Sequence, residues 1–113
     1  MTLRFDIRIN QGETFELAVP VLDDDGDPVS LAGFTAQGQI RSHAASPTVL
    51  YEWSTVSGNV NFDGNDVVLR VPAASSSLWA FRSGRWDLEL MAADGSVTRL
   101  VEGFVIAHPE VTR

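Results

Sequence analysis

The acidic turn at residues 23–27 carries the side chains best suited to hold a metal ion. Four carboxylates in this segment offer the oxygen ligands that hard cations such as calcium take. An EF-hand loop counted from Asp23 needs glycine at its sixth position and glutamate at its twelfth, but the chain has Pro28 and Phe34 there. We therefore expect an ordinary solvated turn, with Gly26 supplying a positive φ, and no cofactor. Whether the turn binds a cation stays open.

The other reactive side chains form no recognisable catalytic pattern. His43 and His108 could supply part of a zinc site, but a third ligand at suitable spacing is missing and the chain has no cysteine. No Gly-x-Ser-x-Gly nucleophile elbow occurs, and the dispersed glycines predict no phosphate-binding loop. A chain this short also has little material for the large cleft of a glycosidase. We predict that the protein is not an enzyme.

The aromatic residues are the better candidates for binding. Trp86 begins a strongly alternating stretch, which predicts a place in the core. Trp79 follows an irregular serine-rich segment and is our candidate for a partner contact, together with Phe81. Tyr51 and Trp53 share a face of one predicted strand, and they could form either core or an exposed aromatic patch.

Composition restricts the classes of partner. The chain has 113 residues and a formal net charge of −7, and such an acidic surface disfavours binding to nucleic acid. All eight cations are arginine, the cation favoured at protein interfaces, although genomic base composition explains the same bias. We find neither a signal peptide nor an apolar run long enough for a membrane helix. We expect synthesis in a cytoplasm and no membrane partner.

Alternation of apolar and polar residues predicts strands along most of the chain. Turn residues separate the alternating stretches, and no segment has the spacing of a long amphipathic helix. Seven or eight short strands and one helical turn near residues 72–79 predict an all-β fold, an antiparallel sandwich or barrel, with residues 1–113 forming a single domain. The predicted strands lie near residues 3–10, 15–21, 34–41, 49–54, 60–62, 67–71, 86–91 and 97–107.

Turn and breaker residues predict how some of these strands connect. A tight turn at residues 11–13 suggests that the first two strands form a hairpin. Pro20 cannot donate to a ladder, so it predicts an edge or a bulge in the second strand. Residues 63–65 and 94–95 carry the Asp-Gly pairs that are typical of hairpin turns. Gly103 suggests a bulge in the last strand.

Six short motifs follow one another in a set order along nearly the whole chain. They are residues 8–15 (Arg-Ile-Asn-Gln-Gly-Glu-Thr-Phe), 25–36 (Asp-Gly-Asp-Pro-Val-Ser-Leu-Ala-Gly-Phe-Thr-Ala), 39–41 (Gln-Ile-Arg), 84–90 (Gly-Arg-Trp-Asp-Leu-Glu-Leu), 94–95 (Asp-Gly) and 100–103 (Leu-Val-Glu-Gly). This order resembles that of small virion proteins of long-tailed bacteriophages and prophages. The chain is more loosely similar to the N-terminal attachment domain of baseplate upper proteins.

The resemblance implies an immunoglobulin-like sandwich, a role in assembly and no catalysis. We expect a virion structural protein of the tail or tail tip (baseplate), or alternatively a capsid decoration protein. Its partners would be other virion proteins and further copies of itself. Three contact regions are predicted: the N-terminal strand, residues 75–81 and the C-terminal tail. Their candidate contact residues are Thr2, Arg4, Trp79, Phe81, Pro109, Val111 and Arg113.

A carbohydrate-binding module for host-surface glycan is the alternative from another class. Sandwich modules of this kind stack sugars on coplanar aromatic rings, which Tyr51, Trp53 and Trp79 could supply.

Overall fold

The computed structural model describes residues 2–109, in which two β-sheets pack face to face. The first part of the chain forms β1 (Leu3–Arg4), β2 (Ile7–Asn10), β3 (Phe15–Pro20), β4 (Thr35–Arg41) and β5 (Tyr51–Ser54). The second part forms β6 (Val60–Asp63), β7 (Asp66–Val71), the short helix α1 (Ala73–Ser76), β8 (Ser83–Met91) and β9 (Val97–His108).

Strand order identifies the architecture. The large sheet has the order β1-β9-β8-β4-β5, with β2 also paired to β9, and the small sheet has the order β3-β7-β6. The series β9-β8-β4-β5 facing β3-β7-β6 corresponds to the G-F-C-C′ and B-E-D sheets of an immunoglobulin-like sandwich. The expected fold class is therefore confirmed. The N-terminal strand departs from a purely antiparallel arrangement, because β1 and β2 run parallel to β9.

Two buried tryptophans, Trp53 and Trp86, lie within the core. The Trp53 and Trp86 rings meet edge to face with centroids 6.0 Å apart. The indole N–H of Trp53, on the large sheet, donates to the Arg70 carbonyl of the small sheet at 3.2 Å. The two sheets are thus joined by packing and by a hydrogen bond in a chain without cysteine. The surrounding buried residues include Ile7, Ile9, Val19, Ile40, Val60, Val67, Leu69, Val71, Leu88, Leu90, Val101 and Val105.

The predicted hairpin of the first two strands is wrong. The turn exists, since the Glu13 amide donates to the Asn10 carbonyl at 3.2 Å. However, β2 belongs to the large sheet, and β3 pairs with β7 in the small sheet. Residues 11–14 therefore cross between the sheets. Alternation identified both strands correctly but carries no information about which partner each one takes.

The N-terminal strand is interrupted at Phe5 and Asp6. The Phe5 carbonyl accepts a bond from the Trp86 indole at 2.9 Å, and the Asp6 carboxylate accepts one from the Phe104 amide at 2.8 Å. A side chain at Gly103 would overlap the Phe5 carbonyl, so glycine is required by this close approach. Leu3 and Phe5 consequently remain about half exposed, although they alternate with polar residues in the same way as the buried Ile7 and Ile9.

The bulge in β9 lies three residues before the predicted position. The register with β8 shifts between Leu88, opposite Val101, and Glu89, opposite Arg99. Leu100 is therefore the extra residue, and it is buried. The shift reverses the alternation, so Val97 and Arg99 face outward while Val101 faces the core.

Several local predictions are confirmed. β6 and β7 form a hairpin across residues 64–65, and β8 and β9 form one around Asp94 and Gly95. Pro20 lies on β3, which is an edge strand paired only to β7 in the described structure. The helical turn is present as α1. No helix among residues 2–109 is long and apolar enough to cross a membrane.

Candidate partner-binding surfaces

The outer face of the large sheet carries charged residues in rows across its strands. One row follows the cross-strand register through Arg4, Glu102, Asp87, Gln39 and Glu52. Asp87 lies in the middle of this row, which has the cation Arg4 at one end and the carboxylate Glu52 at the other. The row arises because each strand turns alternate residues outward and the register aligns them.

A neighbouring row places an aromatic ring between cations. Phe104 is 46% exposed on this face, although it is a large apolar side chain. The Arg85 guanidinium lies 4.6 Å from its ring centroid and the Arg4 guanidinium lies 5.0 Å from it. Both contacts are cation–π interactions. Ile106, two residues further along β9, is also exposed. Phe104 and Ile106 thus form an exposed apolar pair beside Arg4 and Arg85.

Asp87 is a half-buried carboxylate at the centre of this face. Burial raises its pKa, and the nearby Glu89 carboxylate raises it further. Arg99 acts in the opposite direction, with its Nε 3.7 Å from the Asp87 carboxylate. The guanidinium of the same Arg99 also lies 3.7 Å from Glu102. The centre of the face is thus rich in carboxylates, with Arg99 beside two of them and Arg41 also lowering the pKa of Asp87.

The end of the sandwich at α1 is fixed by Gln11. Its buried side-chain amide donates to the Ser76 carbonyl at 2.9 Å and to the Trp79 carbonyl at 2.7 Å. The Ser76 hydroxyl accepts a further bond from the Gly12 amide at 3.0 Å. Leu78, held within this segment, is 85% exposed. Leu78 lies in the contact region predicted at residues 75–81 but is not among the predicted contact residues, because a segment without alternation gives no indication of which side chain points outward.

Trp79 and Phe81 belong to a continuous series of aromatic contacts. Their rings stack with centroids 4.8 Å apart, and Trp79 then meets Tyr51 edge to face at 5.4 Å. Tyr51 in turn contacts the fully buried Trp53 at 5.4 Å and an interplanar angle of 81°. Trp79 and Phe81 are half-buried against the core. Tyr51, Trp53 and Trp79 therefore lack the coplanar, exposed arrangement that sugar stacking requires.

The predicted contact residues fall into two regions. Thr2 and Arg4 are exposed at the edge of the large sheet, where the Thr2 hydroxyl donates to the Arg99 carbonyl at 3.1 Å. Trp79 and Phe81 lie at the α1 end. Exposed Pro109 lies at that same end, because Gln11 bonds both the Trp79 carbonyl and, through its backbone amide, the His108 carbonyl at 2.9 Å. The other two predicted contacts, Val111 and Arg113, lie outside the described residues.

The side chain of Asp23 stabilises the acidic turn. One Asp23 carboxylate oxygen accepts bonds from the Asp25 and Asp27 amides, both at 2.9 Å. The carboxylates of these three residues lie within 4.8 Å of one another, and all three are exposed. These two bonds stabilise the turn, and Gly26 has the positive φ that the sequence predicted. His43 and His108 are both exposed, and neither joins a metal-binding group among residues 2–109.

Comparison with known proteins identifies no family. No protein-family model matches the chain, and no curated protein matches it. Similar solved structures include extracellular domains 3–5 of Drosophila OTK, at 14% sequence identity and a TM-score of 0.42. That match covers 96% of this chain and 33% of the OTK chain, so the chain spans about a third of the OTK length.

Proposed function

We propose that this protein is a structural component of a bacteriophage particle, located in the tail or tail tip, where it binds neighbouring virion proteins. The observation that carries the proposal is the order of the six motifs in the sequence. In the fold, these motifs form the crossing from β2 to β3, the segment from the acidic turn into β4, the end of β4, β8, the β8–β9 turn and part of β9. They define a framework of strands and turns, as expected of an assembly module.

The α1 end supports a contact with another protein. Leu78 projects from a backbone that the Gln11 side chain and the Ser76 hydroxyl hold in place. Stacked Trp79 and Phe81 support the same segment from the core side. A partner that covers Leu78 would lose little conformational entropy on this side of the interface, since the segment is already ordered.

The glycan-binding alternative has no comparable support. Trp53 is fully buried, and the rings of Tyr51 and Trp79 lie at 63° to each other. Capsid decoration differs from the tail proposal only in the partner, so the choice of bait in one experiment separates them.

The test is binding of the purified protein to isolated tails and, separately, to isolated capsids of the phage that encodes it. We expect tails to bind, and Leu78→Asp to weaken binding at least tenfold, because a charge replaces an apolar contact. Val56→Asp is the matched control, since Val56 is 94% exposed in a loop away from α1. Binding to capsids alone would indicate a capsid decoration protein instead of a tail component. Binding to neither would contradict the proposal.

A further inference from the structure

We propose that the acidic turn of one copy of this chain binds an arginine–aromatic patch on the next copy, so that copies join head to tail. The patch consists of Arg4, Arg8, Arg85, Phe104 and Ile106, at one corner of the outer face of the large sheet. This contact is separate from the α1 end and does not depend on whether the protein is part of a virion.

The patch combines exposed apolar surface with cations. Phe104 and Ile106 are 46% and 55% exposed. The guanidinium groups of Arg4 and Arg85 lie over the Phe104 ring, and the strand register places Arg8 beside Ile106. Aromatic residues and arginine are the side chains enriched at protein interfaces. The patch therefore has the composition of a surface that another protein covers.

The carboxylates near the patch are already engaged. The Asp6 carboxylate accepts the bond from the Phe104 amide and lies 4.0 Å from Arg4. The Glu102 carboxylate lies 3.7 Å from Arg99. The other two arginines of the patch have no carboxylate within 4.0 Å of their guanidinium groups among residues 2–109. The patch thus fits a partner that is anionic and has apolar surface of its own.

The acidic turn has the opposite charge and a similar arrangement. Its four carboxylates belong to exposed residues, and none lies within 4.0 Å of a cation in the part of the chain that the structure describes. Three of them lie within 4.8 Å of one another, so they repel one another until a cation approaches. Leu22 is 52% exposed beside the turn, where it pairs with Pro28. The turn therefore presents carboxylates around an apolar side chain, and the patch presents arginines around one.

The turn and the patch lie toward opposite ends of the molecule. β3 begins beside α1, where the Gly12 amide bonds the Ser76 hydroxyl, and it leads away from α1 through Pro20 to the turn. β9 ends beside α1, where the His108 carbonyl accepts the Gln11 amide, so the patch is in the α1 half of the large sheet. One copy cannot bring the two surfaces together, so the contact forms between copies. A contact between two different surfaces has no two-fold axis, and it produces rings or filaments.

The size and charge of this contact predict how it behaves in solution. A short turn covers less than the roughly 800 Å² per partner that a standard interface buries, so each single contact is weak. Exposed charge pairs are screened by salt, with a Debye length of about 10 Å at 0.1 M. We therefore expect association at high protein concentration that decreases as salt is added.

Sedimentation velocity on the full chain tests the contact. At about 50 mM salt, we expect the wild type to form species larger than a dimer. Arg85→Glu in the patch and the double variant D24S/D25S in the turn should each weaken association about tenfold or more. Arg70→Glu and Glu16→Lys are the matched controls, because they reverse exposed charges on the outer face of the small sheet. Both controls should associate like the wild type.

Mixing the two defective variants tests the head-to-tail arrangement itself. The R85E copy keeps an intact turn, and the D24S/D25S copy keeps an intact patch. An equimolar mixture should therefore form a one-to-one dimer that cannot extend, at a concentration where each variant alone is monomeric.

Three results would overturn the inference. The first is a wild-type protein that stays monomeric at low salt up to about 1 mM. The second is wild-type association that stops at a dimer. The third is association that R85E or D24S/D25S leaves unchanged, or a mixture of the two that forms no dimer, while circular dichroism shows both variants folded.

Discussion

At the scale of single residues, the environment of Asp87 determines its chemistry. Its carboxylate lies among Glu89 and Glu102, with Arg99 as its nearest cation. Desolvation by burial is the largest influence on it and raises its pKa above the ordinary value of 3.8. The folded protein therefore binds a proton at Asp87 more tightly than the unfolded chain does. The ionised form of Asp87 is a cost to folding.

Asp87→Asn should therefore stabilise the protein at neutral pH. Stability from protonated Asp87 is fully present below pH 3.8 and is lost as pH rises through the raised pKa. We expect the substitution to raise the melting temperature by roughly 2 °C near pH 7 after allowing for solvent screening, and to have no effect where the carboxyl is already protonated, near pH 3. Thermal unfolding near pH 3 and near pH 7 measures the change in melting temperature. A larger rise in melting temperature at the lower pH would contradict this prediction.

At the scale of elements, a single side chain closes one edge of the large sheet. Asn59 follows β5 and mimics a further strand beside it. Its side-chain oxygen accepts from the Ser54 amide at 2.8 Å, and its side-chain nitrogen donates to the Glu52 carbonyl at 2.9 Å. Unpaired backbone groups on an edge strand invite pairing with other chains. Asn59 thus protects β5, whereas the N-terminal strand at the opposite edge has no such cover among the described residues.

Asn59→Ala should weaken β5 specifically. The loss of the bonds to Ser54 and Glu52 should lower the free energy of unfolding by about 1–2 kcal/mol and speed hydrogen exchange at the Ser54 amide. Asn61→Ala is the control, because Asn61 makes one exposed side-chain bond, to the Gly58 carbonyl at 3.2 Å. Equal losses in the two variants would show that Asn59 does not act through the edge of β5.

At the scale of the whole molecule, the sandwich depends on links between its sheets rather than on covalent bonds. Trp53 is on the large sheet and bonds the Arg70 carbonyl of the small sheet. Gln11 lies where the chain crosses from one sheet to the other and bonds the segment after β7. These two side chains join regions far apart in sequence, so they act on global stability more than on local structure.

Trp53→Phe should destabilise the whole molecule by about 2–3 kcal/mol. The smaller ring leaves a void in the core, and the Arg70 carbonyl loses its donor. Trp79→Phe is the control, since Trp79 is half-buried and its indole N–H has no protein acceptor among residues 2–109. Urea unfolding of both variants measures the difference. A loss for Trp79→Phe as large as that for Trp53→Phe would contradict the role given to the bond between the sheets.

The sequence alone determined the features that depend on neighbouring residues. Alternation identified the strands because successive side chains point to opposite faces, and Asp-Gly pairs identified the hairpins because glycine tolerates the positive φ of their turns. Trp86 in the core and Pro20 on an edge followed from the same local chemistry.

Only the tertiary structure decided which distant segments meet. Hydrogen bonds from Trp86 and Phe104 interrupt the N-terminal strand at Phe5 and Asp6, and those donors are 81 and 98 residues away in the chain. The bulge at Leu100 sets the register that aligns Arg4, Asp87 and Glu52 in one row. Because register and strand pairing are properties of two segments at once, no local pattern contains them.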